Sequence, residues 1–348
     1  MKAKNSHFAF LGRLEGLPIG IVLVALYGVF ILTAPTVFTG YRIYMSFFQT
    51  VPPLLVLAIG LTFIITAGEI DLSFPAVVAL SGFVFTWCFR AFNSPLIGLV
   101  LALAAGALVG YINGLLVARL KVPSIMATLA TQFFWYGVTV LIAGGLQINI
   151  EAVNTTTVHA IFVGRLFGVF PVQALWSLGL VVFFWFILNK HTFGEAIMFI
   201  GDNAEVARVM GINVETTRIK LFTLHGVIAA FAGLLLTMEM NVFFPTQGQG
   251  MLLPVMAAVF IGGTSIAGGQ GILVGTFFGA YIIGSLEAGV VATGIGGYWV
   301  QLVEGLVMAA VVVLNILIGE EGVSMLSKAA RKWGLPVPAP LQDKPPIE

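Results

Sequence analysis

Two carboxylates stand two residues apart in the stretch TAGEIDLSFP, residues 66–75, between two long apolar runs. Ser73 suits an N-cap and Pro75 the first turn of a helix that follows. The break in the apolar pattern matters more than the charges. Irregular backbone at membrane depth is tolerated where protein or water covers it, and such breaks often line transport paths. Glu69, Asp71 and Ser73 are therefore candidates for a substrate path, with a solvated, ordinarily capped loop as the alternative. A Gly-rich counterpart, GGTSIAGGQG at 262–271, is either a second path-lining break or a tight turn with close helix packing. Path candidates inside the apolar runs are Asn113, Gln132, Trp135, Tyr136, Asn241 and Gln301, whose amides, hydroxyl and aromatic faces match the recognition of a hydroxylated solute. Metal and nucleophile chemistry find no constellation, because His7, His159, His191 and His225 are scattered and Cys88 is alone. His225, inside an apolar run, reads as a satisfied buried imidazole. No Gly-Lys dipeptide occurs, so the chain has no Walker-type phosphate loop and no cofactor of its own is expected.

The elements that must position these residues are membrane spans. Hydrophobic residues make up 59% of the chain and charged residues 9%, far from the soluble average of about half apolar and a quarter charged. The reading is an all-α polytopic membrane protein; the long unbroken runs exclude the short alternation of an outer-membrane barrel. At about 20 residues per span, ten windows emerge: 17–34, 50–67, 73–92, 96–118, 123–143, 172–188, 219–240, 250–266, 271–290 and 298–318. With a cytoplasmic N-terminus, only Arg42, Arg90 and Arg165 of the 16 Lys and Arg residues fall outside, a strong positive-inside bias. The basic N-terminal segment lacks a small-residue cleavage site and reads as leading into a retained first span. Glu239, Glu287 and Glu304 have no basic neighbour in sequence and must sit at a span end, face an aqueous path or be protonated. The net charge of +1 gives no reason to expect a nucleic-acid partner.

The longest polar interruption is GEAIMFIGDNAEVARVMGINVETTRIK, residues 194–220, on the cytoplasmic side of that topology. Asp202 with Glu205 reads as a capping box, Val206, Val209 and Met210 form an i, i+3, i+4 stripe, and Gly211 suits a left-handed C-terminal cap. A helix of about two turns is marginal alone in water, so its stripe should dock, either on this protein's own membrane face or on a cytosolic partner.

In order and spacing, several stretches resemble the permeases of ribose-type ABC sugar importers. They are GEIDLS at 68–73, ALSG at 79–82, INGLLVARLKVPSIMATLAT at 112–131, Gly144/Gly145, GDNAEVARVMGI at 201–212, FAGLL at 231–235 and GGTSIAGGQGILVGTFFGA at 262–280. The resemblance implies a type II importer-like permease of about ten helices that pairs with a second permease subunit. It also implies a periplasmic sugar-binding protein outside, cytosolic ATPase subunits that use the ATP, and a bacterial inner-membrane location with both termini cytoplasmic. Gly201, Asp202, Asn203, Glu205, Val206, Arg208, Val209, Met210 and Gly211 would form the coupling helix. One departure stands out: Glu69 occupies a position where that family usually has a second glycine.

The expected organisation is a cytoplasmic segment at 1–16, a permease domain at 17–318 with its coupling loop at 190–218, and a Pro-rich cytoplasmic tail at 319–348. Competing functions are an ion-coupled secondary transporter and, on the same fold, an ABC permease for a nucleoside, an autoinducer or a branched-chain amino acid.

Overall fold

In the computed structural model, residues 16–294, 296–303, 305–307 and 309 are described. The apolar windows become helices: α1 (Leu17–Thr33), the short α2 (Pro35–Phe38), α3 (Tyr41–Thr66), α4 (Phe74–Phe92), α5 (Pro95–Ala118) and α6 (Ser124–Ile142). The segment between α6 and the next long helix carries β1 (Ile148–Asn149), α7 (Thr157–Val163), β2 (Arg165–Leu166) and β3 (Phe170–Pro171). Then follow α8 (Val172–Lys190), α9 (Thr192–Asp202), α10 (Ala204–Val209), α11 (Val214–Met240), β4 (Val242–Phe243), α12 (Leu252–Ile261) and α13 (Leu273–Ala292). Of these, α3, α4, α5, α6, α8, α11 and α13 are long and apolar enough to cross a bilayer.

Three windows need correction or lie elsewhere. The window at 50–67 starts too late, because α3 runs from Tyr41 straight through Pro52 and Pro53 to Thr66. The window at 250–266 yields only ten helical residues, about 15 Å against a hydrocarbon core of about 30 Å. Helix α12 stops because Gly263, Gly268 and Gly269 take positive φ and turn the chain back toward α13. Most of the window at 298–318, with Glu304 and the tail, falls outside the described residues.

The core is built by α3, α4, α11 and α13, which bury most of their apolar faces, while α5, α6 and α8 leave most of theirs exposed. Helix α5 packs on α11 through small residues: a Cβ added at Gly106 would stand 2.4 Å from the Gly226 carbonyl, and one at Gly110 2.2 Å from that of Phe222. Glycines spaced by four thus let two backbones touch where larger residues would hold them apart. The described residues up to Val300 form one compact unit, and Gln301 opens a second, in which it is helical and exposed.

Candidate functional site

The polar 194–220 segment folds into the end of α9, the short helix α10 and the start of α11. Its cap is Asn203, whose Oδ1 accepts from the backbone N–H of Glu205 at 3.0 Å and Val206 at 3.1 Å. Asp202 is not the cap, because α9 continues through it, and Glu205 turns to Arg208 instead of closing a capping box. Gly211 has φ +87°, and the N–H groups of Gly211 and Ile212 reach back to the carbonyls of Arg208 and Ala207. The face that seats α10 on its own chain is small and lies opposite the expected stripe: Ala207 is buried with Ile200 and Val214, flanked by Ala204 and Ile212. Val206, Val209 and Met210 point away from the protein, and Val209 is 90% exposed.

Immediately before α10, the chain presses on both interruptions of the membrane helices. A Cβ at Gly201 would lie 1.9 Å from the Thr66 carbonyl and 2.5 Å from the Gly269 nitrogen. One at Gly268 would lie 2.7 Å from the Gly201 carbonyl and 3.0 Å from the Gly68 Cα. The Gly269 N–H donates to the Thr66 carbonyl at 2.9 Å. Four glycines therefore bring the 66–73 break, the 262–271 break and the end of α9 into direct backbone contact.

Glu69, Asp71 and Ser73 of the 66–73 break are buried, which removes the solvated-loop alternative. Asp71 Oδ1 accepts from the Ser73 N–H at 2.7 Å and the Ser73 hydroxyl at 2.6 Å. Asn113 Nδ2 on α5 donates to Ser73 Oγ at 2.7 Å, and the Thr131 hydroxyl on α6 donates to Asn113 Oδ1 at 2.8 Å. Ser73 makes no side-chain cap, since its hydroxyl is committed to Asp71; Gln132 Oε1 accepts the Ala76 N–H of the first turn at 2.9 Å instead. The N–H groups of Ile70 and Leu72 donate to the hydroxyls of Ser124 and Thr128. Buried backbone outside a helix needs such partners, and here the hydroxyls of α6 provide them.

The break also faces two bases on α11, seven residues apart and so on one side of that helix. Arg218 Nε lies 2.8 Å from Glu69 Oε1, an ion pair by distance that lacks the alignment of a hydrogen bond. His225 Nε2 lies 3.9 Å from Asp71 Oδ2. His225 is buried, yet neither ring nitrogen has a hydrogen-bond partner, which corrects the expectation of a satisfied imidazole. Sequence reasoning did not place Arg218 or the hydroxyls of Ser124, Thr128 and Thr131 at this site. The seven-residue spacing of Arg218 and His225 was the readable signal; their partners, some 150 residues away in sequence, were not.

The remaining path candidates do not join this cluster. Trp135 and Tyr136 lie beyond Gln132 toward the other end of α6, and the Trp135 Nε1 is buried without a hydrogen-bond partner. Asn241 ends α11 in the left-handed conformation with its Oδ1 buried and unpartnered. Nearby, Glu239 accepts from the amides of Gln49 and Gln173, and Arg165 donates to Gln49 Oε1 at 2.8 Å. Glu239 thus sits in the last turn of its helix with amide donors, whereas Glu287 is exposed on α13. Among the described residues no group of three or more His, Cys, Asp or Glu side chains is placed to hold a metal.

Residues 43–312 match the family described as branched-chain amino acid transport system / permease component. The chain belongs to this permease family. Among its relatives, the permease is 32% identical to the ribose import permease protein RbsC of Escherichia coli K12, over 73% of this chain and 79% of that one. It is 32% identical to the L-arabinose ABC transporter permease protein AraH of Azospirillum brasilense, over 73% and 76%. It is 33% identical to the autoinducer 2 import system permease protein LsrC of Escherichia coli O9:H4 (strain HS), over 75% of each chain. The permease is an all-α, multi-pass membrane protein.

Proposed function

We propose that this permease forms the translocation path of an ATP-driven importer for a monosaccharide or related polyol in a bacterial inner membrane. A separate cytosolic ATPase works it through residues 201–212, a binding protein delivers the solute on the far side, and a second permease subunit completes the path. The observation that carries this reading is the outward set of Val206, Val209 and Met210 on a helix already seated by its opposite face. An amphipathic helix presenting apolar anchors to water is the form taken by helix-in-groove docking. Relatives named for ribose, arabinose and autoinducer 2 support a small hydroxylated solute. Glu69, Asp71, Ser73 and Asn113 are spoken for by one another or by α11, and they serve this function by holding the break in place.

The test is pull-down of the cognate ATPase together with uptake. Val206→Asp places a charge in the docking face, and Gly211→Pro is incompatible with φ +87°. Both variants should insert in the membrane yet lose ATPase capture and uptake; normal uptake in either removes the docking claim. Uptake by vesicles that lack the ATPase, driven by an ion gradient alone, would favour a secondary transporter.

A further inference from the structure

The topology expected from sequence leaves only Arg42, Arg90 and Arg165, of 16 Lys and Arg residues, on the side away from α10. The structure brings two of these three together. Arg42, in the first turn of α3, and Arg165, on β2, line one open-sided pocket of about 300 Å³. No Asp or Glu lines it, and the hydroxyls of Tyr41 and Ser46 add neutral donors. Arg165 donates from one terminal nitrogen to Gln49 Oε1 at 2.8 Å, which fixes the guanidinium beside α3 and leaves other N–H groups open. The ion pairs among the described residues are Glu205–Arg208, Glu69–Arg218 and Asp71–His225, so neither arginine of the pocket has an acidic partner there. Glu239, behind Gln49, already accepts from the amides of Gln49 and Gln173.

Helix length gives the depth of this pocket. Helix α8 spans 19 residues, about 28 Å, close to a hydrocarbon core of about 30 Å, and its first residue, Val172, follows β3 directly. The β2–β3 hairpin therefore lies at the level of phospholipid headgroups. Helix α3 spans 26 residues, about 39 Å, with its Thr66 end held against Gly201. The surplus of about 9 Å over the core lifts Tyr41 and Arg42 into the same layer. Trp176, one turn into α8, stacks on Phe162 at 5.1 Å and donates from Nε1 to the Ile161 carbonyl at 2.8 Å. Such aromatic groups, half apolar and half wet, mark a membrane boundary.

The hairpin tip is apolar and unpacked. Arg165 pairs with Pro171 and Leu166 with Phe170, so the turn is Phe167-Gly168, and both residues take positive φ, +52° and +73°. This is the backbone of a type I′ turn, for which Asn-Gly is the unstrained choice. Phenylalanine is strained in that conformation, and its ring is 99% exposed, between the exposed Leu166 and Val169. An exposed ring beside two unpaired arginines fits a surface that is anionic in its outer layer and apolar beneath, which is a bilayer. The open side of the pocket is what a ligand arriving in the membrane plane requires.

We propose that Arg42 and Arg165 clasp the phosphate of an anionic phospholipid while Phe167 enters the acyl region beside it, fastening α3 and the hairpin to one leaflet. The test uses the full-length permease. Native mass spectrometry in detergent compares retention of phosphatidylglycerol and phosphatidylcholine, with inorganic phosphate as competitor. Phosphatidylglycerol should be retained preferentially, and Arg42→Gln and Arg165→Gln should each weaken its binding about fivefold, the effect of one interfacial charge, with phosphatidylcholine unaffected. Thermal unfolding of Arg42→Gln should match the wild type, which separates loss of the site from loss of the fold. A nitroxide on Phe167→Cys, with native Cys88 buried, should in phosphatidylglycerol liposomes be relaxed more by oxygen than by a water-soluble nickel chelate. Equal retention of the two lipids, retention unchanged by both substitutions, or displacement by millimolar inorganic phosphate overturns the proposal. So does a nitroxide that meets the chelate first and is covered when the cognate binding protein is added, which assigns the hairpin to a protein partner instead.

Discussion

The pair Glu69–Arg218 is the residue on which the buried break depends for charge balance. Removing one partner strands the other in a low-dielectric setting, whereas removing both does not. Glu69→Gln should destabilise the permease by about 3 kcal/mol, the low end for a buried pair because Arg218 keeps some exposure. Glu69→Gln combined with Arg218→Met should recover most of that loss, as read by thermal unfolding in detergent. By contrast, the exposed Glu205–Arg208 pair on α10 should be worth about 1 kcal/mol or less. The acids of this site were legible in sequence as a spaced pair inside a break. Their burial was not, because it depends on hydroxyls of α6 and a guanidinium of α11 that come near only after folding. His225 shows the same limit, since its apolar neighbours in sequence announced burial but could not reveal two unpartnered nitrogens.

Among the elements, α10 was legible as a short helix with a glycine stop. Its first residue was not, because Asp202 and Asn203 are both good caps and the choice was made by α9, which extends through Asp202. Asn203→Ala should loosen α10 by about 1 kcal/mol and Asn203→Asp should preserve it, measurable as hydrogen exchange at Glu205 and Val206. The orientation of the stripe was also closed to sequence reasoning: Val206, Val209 and Met210 satisfy either docking mode, and it is the small residue Ala207 that meets the protein. Gly201→Ala would drive a methyl group to 1.9 Å from the Thr66 carbonyl, a contact no rotamer relieves. It should separate α9 from the two breaks and destabilise by about 1–3 kcal/mol or more, and uptake should fall even where ATPase capture persists.

For the whole molecule, composition and the long apolar runs made the membrane class plain, and helices rose in all nine windows that lie wholly within the described residues. What they could not disclose was that α12 stops halfway, since GGTSIAGGQG reads equally as a path-lining break and as a tight turn between two full spans. The charge asymmetry gives an orientation that is open to direct test. Val209→Cys should react with an impermeant maleimide in inside-out vesicles and stay unlabelled in intact cells. Reaction from the outside would invert the molecule and leave α10 out of reach of any ATP-driven partner.

The meeting of Gly68, Gly201, Gly268 and Gly269 has a mechanical corollary. Where two surfaces meet mainly through peptide groups, few rotamers need to be unpacked or refrozen for one to shift against the other. Gly68 is exposed and the other three are half-buried, so the seam lies near the surface, pinned by one hydrogen bond from Gly269 to Thr66. On the import reading proposed above, a displacement of the short helix would reach both membrane breaks through this one seam.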